Sequence, residues 1–340
     1  MTASNLKPLL ESVIAGKDLS REEAHSFLDE VMKGHVSEIL LSSFLTALKI
    51  KGEKEDEITG FVEAMRNHAV AVKETFDFDF IDTCGTGGDG KGSLNVSTLS
   101  AFVLASLGLP VAKHGNRSVS SLSGSSDVLE SLGYPLQMSH TDTVAYFLKH
   151  QFVFLFAPNW HPAMKYAAPV RKELGIRTFF NLIGPLSNPF RPKMQVIGVY
   201  DVGLLPLVAG VLHKLQTRKA IVCHSRDGLD EFSIFSPTDY IHLEDGKWEK
   251  ALFDPKELKG LSPLRPEEVF QNTKEASQAL FLDVLQGKNT SGSDMVALNA
   301  GAALFLAGKS KSISEGYTLA KSTLLEKKVL KFVRETLNLS

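Results

Sequence analysis

Cysteine is nearly missing from this 340-residue chain: Cys84 and Cys223 stand alone and far apart. A disulfide framework is thereby excluded, and a reducing compartment, the cytoplasm, is the expectation. Neither sign of charge is in excess, with 37 Lys and Arg against 39 Asp and Glu and a formal net charge of -2. Such a balance gives no global attraction to nucleic acid or to an anionic membrane, so affinity for a polyanion has to come from a local arrangement. No apolar run approaches the roughly 18 residues needed to span a bilayer. The stretch from Met1 to His25 turns acidic without forming an apolar core, unlike a secretory signal. Internal repeats and low-complexity tracts are also missing. One further absence is local: residues 90–126 contain no Asp or Glu.

What is present is a globular composition, 43% hydrophobic and 22% charged, on a chain long enough for about two domains. Residues 1–72 read as a small all-helical domain. Ala24, Phe27, Leu28, Val31 and Met32 follow a helical period, with Ser20 and Glu23 as a capping box and Gly34 as a stop. Ile39, Leu40, Phe44, Leu45 and Leu48 predict a second helix ending near Gly52, and Ile58, Phe61, Val62 and Met65 a third. From residue 76 to 340 the pattern changes. Phe78–Ile81, Pro110–Lys113, Val153–Phe156, Gln195–Tyr200 and Ala220–His224 read as strands with helices between them, among them Val96 to about Gly108. That alternation predicts an α/β domain, a mainly parallel sheet flanked by helices. Met295–Ala307 and roughly Ser314–Thr336 are expected as closing helices.

The loop after the first strand runs Asp82-Thr-Cys-Gly85-Thr-Gly87-Gly88-Asp89-Gly90-Lys91-Gly92-Ser93. Gly85, Gly87 and Gly90 fit a dinucleotide fingerprint, but the acid that should follow by about 20 residues does not exist in the acid-free stretch. Gly85 to Lys91 fits the start of a P-loop, yet the metal-binding hydroxyl position is Gly92, leaving only an off-register Ser93. Four glycines within residues 85–90 are more than a turn requires. They let backbone N–H groups approach an anion, and a helix N-terminus adds a favourable dipole. Asn95-Val96-Ser97-Thr98 opens that helix, with Asn95 available as its cap and Ser97 and Thr98 available to phosphate oxygens or a metal ion.

A second cradle follows at Lys113-His114-Gly115-Asn116-Arg117-Ser118-Val119-Ser120-Ser121, continuing to Ser125 and Asp127. Lys113 and Arg117 supply charge-assisted donors, and the serines and backbone amides neutral ones. Two cradles suit a ligand with two phosphate-bearing ends, and such a ligand calls for Mg²⁺. Asp230 and Glu231, in the loop after the strand that ends at His224, are the candidate carboxylates.

The order of these segments resembles the anthranilate phosphoribosyltransferase family. The resemblance rests on Gly85–Asp89, Asn95–Thr98, Lys113–Arg117, Ser121–Glu130, Phe156-Ala-Pro, His161–Lys165, Arg171–Thr178, Asn181–Pro189 and Gly228–Glu231, and it covers essentially the whole chain. It implies a nucleoside phosphorylase/phosphoribosyltransferase-like fold, with helices from about 164–188 joining the N-terminal domain, and a homodimer formed through the helical part. It implies transfer of the phosphoribosyl group from phosphoribosyl pyrophosphate to the amine of anthranilate. By that resemblance Gly85, Gly88, Asp89, Ser93, Asn95 to Thr98, Lys113 to Ser121 and Ser125 contact phosphoribosyl pyrophosphate. Gly85, Asn116 and Arg171 contact anthranilate, and Ser97, Asp230 and Glu231 hold Mg²⁺.

Two rival readings share the fold. A pyrimidine nucleoside phosphorylase also uses a glycine-rich phosphate loop but has no need of an acid pair for Mg²⁺. A nucleic-acid-binding paralogue should have a basic surface and lack the anthranilate residues. Neither His114 nor His161 is assigned as a general base, and catalysis is expected to rest on positioning and electrostatics.

Overall fold

In the computed structural model, which describes residues 6–88, 90–117 and 124–337, four helices come first: α1 (Leu6–Ile14), α2 (Arg21–Met32), α3 (Glu38–Lys51) and α4 (Glu55–Asn67). Helix α1 is an addition to the three expected from the sequence. At α2 the Ser20 hydroxyl accepts from the Glu23 N–H while the Glu23 carboxylate accepts from the Ser20 N–H. All five of its periodic apolar residues are buried. Helix α3 departs from the expected face, because Ile39 is 82% exposed and Leu41 points inward with Phe44, Leu45 and Leu48. The reason is phase: Leu41 lies three and four residues before Phe44 and Leu45, whereas Ile39 is half a turn out of step.

These helices belong to a compact unit made of the chain up to Lys73 together with Ala157–Arg191 and Gly210–Gln216. Its core is aromatic. Phe27 stacks on Phe44 and Phe61 on Phe179, each with ring centroids 4.0 Å apart. Each such pair contributes about 1 kcal/mol beyond the area it buries.

The second unit comprises Glu74–Phe156, Pro192–Ala209 and the chain from Thr217 onward. It is built on a seven-stranded sheet of order β3-β2-β1-β4-β5-β6-β7. Strands β1 (Ile81–Asp82), β2 (Val111–Gly115), β3 (Phe152–Phe156), β4 (Met194–Gly198) and β5 (Lys219–Ser225) pair in parallel. Strands β6 (Thr238–Glu244) and β7 (Lys247–Phe253) extend the sheet antiparallel, and the sequence reading lacked both. The first four residues of β7 are exposed, so it offers no clean alternation of apolar and polar residues to find.

Three other expectations are corrected. Residues Phe78 and Phe80 precede β1 instead of forming it, and their rings pack edge-on against Phe147. Strand β4 stops at Gly198, short of Tyr200. The closing helix divides into Ile313–Leu325 and Lys328–Leu337, because Lys327 adopts a left-handed φ of 61° that ends one helix before the next begins.

Helix α5 (Val96–Ser106) leads from β1 to β2, and nine of its 11 residues are buried. The helix Ser291–Leu306 is buried along nearly its whole length. The Ser100 hydroxyl of α5 donates to the Val296 carbonyl of that helix, 3.3 Å away. From β1 the chain moves outward to β2 and β3, then returns to place β4 on the other side of β1. This reversal is the switch point at which open α/β sheets bind ligands, at the carboxyl ends of their strands.

Candidate active site

The strand ends surround one cavity in the α/β unit. Its wall is formed by Thr83, Cys84, Gly85, Gly87 and Gly88 after β1, by Ser93 to Ser97 and Ser100 around the start of α5, and by Lys113 to Arg117 at the end of β2. Gly124, Ser125, Val196, Gly198, Cys223, Asp230, Glu231 and Asn299 complete it.

The glycine loop is shaped by close approaches. Gly87 and Gly88 have φ of 66° and 81°, a region costly for residues with a Cβ. The Thr86 N–H donates to the Gly198 carbonyl at 2.8 Å, and the Gly87 N–H donates to Oδ2 of Asp230 at 2.8 Å. At the far end of the loop the Gln271 N–H donates to the Gly92 carbonyl, the Leu94 N–H donates to the Val269 carbonyl, and Ser93 pairs with Phe270 as an isolated bridge. Asn95 stands at the cap position of α5, but its side chain makes no capping hydrogen bond, against expectation. Its ψ of 67° lies outside the extended range usual for a capping residue.

Lys113 is the main buried cation of the site, only 2% exposed. Its ammonium donates to the Thr83 carbonyl and to the Ser97 hydroxyl, both at 3.0 Å. Those acceptors are neutral. The neighbouring His114 N–H donates to the fully buried carboxylate of Asp82 at 3.2 Å, which ties the end of β2 to that of β1. The Cys84 thiol is pushed up to about 12 by burial and by the nearby Asp82 and Asp230, against the opposing pull of Lys113. A thiol held protonated in this way is no nucleophile.

Asp230 and Glu231 sit in the loop after β5, pressed against β4. A Cβ on Gly198 would lie 1.4 Å from the Asp230 carbonyl oxygen, and one on Gly85 would lie 3.1 Å from the Asp230 carboxylate. Asp227 braces the same loop, accepting from the Ser233 hydroxyl at 2.6 Å. Burial and then these two acids hold the Cys223 thiol well above its ordinary range.

The structure thus brings Gly85, Gly88, Ser93, Asn95, Val96, Ser97, Lys113, His114, Gly115, Asn116, Arg117, Ser125, Asp230 and Glu231 to one cavity wall. Val96 is fully buried, and its N–H already donates to the Leu94 carbonyl at 2.6 Å. Thr98 is also fully buried and is not part of the lining; its hydroxyl has no partner among the described residues. Arg117 is exposed and already committed, donating to Asp127 at 2.8 Å and Glu130 at 3.1 Å, with its guanidinium 5.7 Å from the Phe156 ring. Asp89, Ser118, Val119, Ser120 and Ser121 lie outside the described residues.

Arg171 belongs to the helix Ala168–Leu174 of the helical unit, its guanidinium 4.9 Å from the centre of the Phe180 ring. Burial lowers its pKa from the ordinary value. In the same unit His161 is 5% exposed, and burial lowers it to about 4, so its imidazole is neutral at pH 7.

Sequence reasoning missed Gly198, Asn299 and Ser100. Gly198 carried a faint signal, since glycine inside a strand marks a close backbone approach. Asn299 carried another, as an amide within an otherwise apolar helix. Neither signal named a partner.

The chain matches the glycosyl transferase family, a/b domain, over residues 77–328, and that family's helical bundle domain over residues 7–69. The anthranilate phosphoribosyltransferase of Geobacillus kaustophilus is 45% identical over 95% of this chain and 94% of its own length. That of Moorella thermoacetica is 43% identical over 94% of each. Among solved structures, anthranilate phosphoribosyltransferase from Thermus thermophilus has a TM-score of 0.89 at 36% identity, covering 97% of this chain and 98% of its own. The enzyme from Saccharomyces cerevisiae, in complex with phosphoribosyl pyrophosphate and Mg, has a TM-score of 0.88 at 25% identity, covering 99% and 98%.

Proposed function

The chain belongs to the anthranilate phosphoribosyltransferase family, and from that membership we propose that its α/β cavity binds phosphoribosyl pyrophosphate for transfer of the phosphoribosyl group to anthranilate. The reaction gives N-(5-phosphoribosyl)anthranilate and pyrophosphate, a step of tryptophan biosynthesis. Its relatives support this activity and neither the nucleoside phosphorylase nor the nucleic-acid reading.

The observation that carries the assignment of the cavity is Lys113. A buried ammonium whose hydrogen-bond acceptors are a carbonyl and a hydroxyl is costly, and an anion arriving beside it offsets that cost. The start of α5 and the glycine-loop backbone face the same space, so a phosphate there meets a cation, a helix dipole and N–H donors together. Gly85, Gly88, Asp89, Ser93, Asn95 to Ser97, Lys113 to Ser121 and Ser125 are the proposed contacts.

Mg²⁺ is the proposed cofactor, held by Asp230 and Glu231. Their hard carboxylate oxygens suit it, and Mg²⁺ is usually held by one or two carboxylates with water and substrate phosphates completing its shell. Ser97 fits less simply, because its hydroxyl already accepts from the Lys113 ammonium. When bound, Mg²⁺ supplies charge neutralisation to the departing pyrophosphate. The chain's own contribution is positioning: Gly87 and Gly198 hold Asp230, and Lys113 offers positive charge where negative charge develops. The attacking group is an aromatic amine, which needs no strong base. Cys84 stays protonated and supplies none. Arg171, with Gly85 and Asn116, is the proposed partner of anthranilate, its planar fork matching a carboxylate.

We infer a homodimer through the helical unit, where Ile14 on α1 and Ile39 and Ile50 on α3 are 68%, 82% and 82% exposed. A cytoplasmic setting suits the two free thiols.

The test is to mix the protein with anthranilate, phosphoribosyl pyrophosphate and Mg²⁺ and follow anthranilate fluorescence, omitting each component in turn. Fluorescence loss that needs all three, with pyrophosphate released, is the expected result. Loss without phosphoribosyl pyrophosphate, or none from folded protein, overturns the proposal.

A further inference from the structure

We propose that Asn299 is a positioning residue for the Asp230–Glu231 pair, fixing its register against the glycine loop and α5; this rests on the reading of that pair as the Mg²⁺-holding group. Asn299 lies inside the buried helix Ser291–Leu306 and is 8% exposed. Asparagine is a poor helix former, and a buried amide has to find partners for both of its ends. Here two of the three partners lie 67 residues away. Oδ1 accepts from the Phe232 N–H at 2.9 Å, and Nδ2 donates to the Phe232 carbonyl at 2.9 Å and to the Met295 carbonyl at 2.9 Å. One carboxamide therefore holds both backbone polar groups of the residue directly after Glu231, as a neighbouring β-strand would.

The restraint matters because no helix or strand lies between Ser225 and Thr238 to set the loop's register. Ahead of Glu231, Asp230 is fixed by the Gly87 N–H and by its close approach to Gly198. Behind it, Asn299 holds Phe232, the residue next to Glu231, while Asp227 and Thr238 hold Ser233 beyond it. The same helix takes the Ser100 hydroxyl of α5 on its Val296 carbonyl, three residues before Asn299. One rigid helix thus sets the position of the acid pair relative to the helix start that faces the cavity. Carboxylates that would hold a cation beside a phosphate need that spacing, whereas phosphate binding without the cation does not.

The experiment is calorimetric titration of phosphoribosyl pyrophosphate into the full-length protein, with and without Mg²⁺, for wild type, Asn299→Ala, Leu304→Ala and the double variant Asp230→Asn, Glu231→Gln. Asn299→Ala is expected to weaken Mg²⁺-supported binding about tenfold and to change Mg²⁺-free binding by less than about twofold. The Mg²⁺ concentration giving half-maximal rate should rise in step, with the anthranilate KM unchanged. Leu304→Ala removes a buried side chain of the same helix and should lower the melting temperature without altering the response to Mg²⁺. Equal weakening with and without Mg²⁺, or a lower melting temperature alone, would make Asn299 merely structural and overturn the proposal. If the double variant shifts the Mg²⁺ response and Asn299→Ala does not, the positioning role fails while the metal reading stands. If the double variant leaves the response unchanged, the metal reading fails and the positioning role with it. Asn299→Ser, whose single hydroxyl cannot serve both Phe232 groups, replaces the alanine variant if that one does not fold, and the same outcomes decide.

Discussion

Gly198 and Asp230 lie so close that a methyl group on the former would stand 1.4 Å from the carbonyl oxygen of the latter. No rotamer change relieves a clash between Cβ and backbone. Gly198→Ala should therefore push the acid loop off β4, lowering kcat/KM by about 100-fold for a displacement near 1 Å. Steady-state kinetics beside a far-ultraviolet dichroism spectrum would check this. Wild-type turnover from a folded variant would refute the dependence on that contact.

Lys113 trades stability for binding. Burying an ammonium against neutral acceptors is costly, so Lys113→Met should be no less stable than wild type in the absence of ligand. It should also lose most of the rise in melting temperature that phosphoribosyl pyrophosphate gives to wild type. Denaturant unfolding of the free protein measures the first, and thermal melts with and without the substrate the second. A variant that is destabilised and still fully responsive to substrate would contradict the role of Lys113 as an anion partner.

Both thiols are held protonated by burial, Cys84 at about 12 and Cys223 well above its ordinary range. A disulfide reagent at pH 8 should label neither in the native protein and both in denaturant. The raised Cys84 value also means that its share of stability is complete below the unfolded thiol range, near pH 8.5, and is lost as pH climbs towards 12. Rapid native labelling of Cys84 would show that the site is open to thiolate chemistry.

His161 has the opposite sign. Its folded value of about 4 lies below its unfolded value near 6.5, so its contribution is present above pH 6.5 and is lost as pH falls towards 4. That shift corresponds to about 3 kcal/mol. The variant His161→Gln should lack this part of the acid destabilisation, seen as a shallower fall of unfolding free energy between pH 6.5 and pH 4. Parallel curves for the variant and wild type would refute the assignment.

Arg171→Ala should raise the anthranilate KM by about tenfold or more, the worth of a charge-assisted hydrogen bond, and change the KM for phosphoribosyl pyrophosphate much less. Comparable changes in both would remove Arg171 from anthranilate recognition.

Local signals carried much of this protein. The capping box at Ser20 and Glu23, the inward faces of α2 and α4, the strands β2, β3 and β5 and the glycine-rich loop all follow from residue type and spacing, because these depend on neighbours within a few positions. The phase of α3 was misread, since Ile39 and Leu41 are equally apolar but only Leu41 lies three and four residues before Phe44 and Leu45. Strand β7 was missed because its exposed edge positions have no apolar alternation, and β6 because Ile241 and Leu243 alone alternate in it.

Within the site, the sequence by itself determined the chemical inventory: glycines, Lys113, the hydroxyls of α5 and the Asp230–Glu231 pair, separated by an acid-free stretch. Only the tertiary structure decided which of these are committed and to what. Arg117 is engaged by Asp127 and Glu130, Thr98 turns into the core, and the acid loop is held from Gly198 on one strand and from Asn299 on a distant helix. The hold of Asn299 on the acid loop joins backbone 67 residues away, and residue type alone does not encode which surfaces meet.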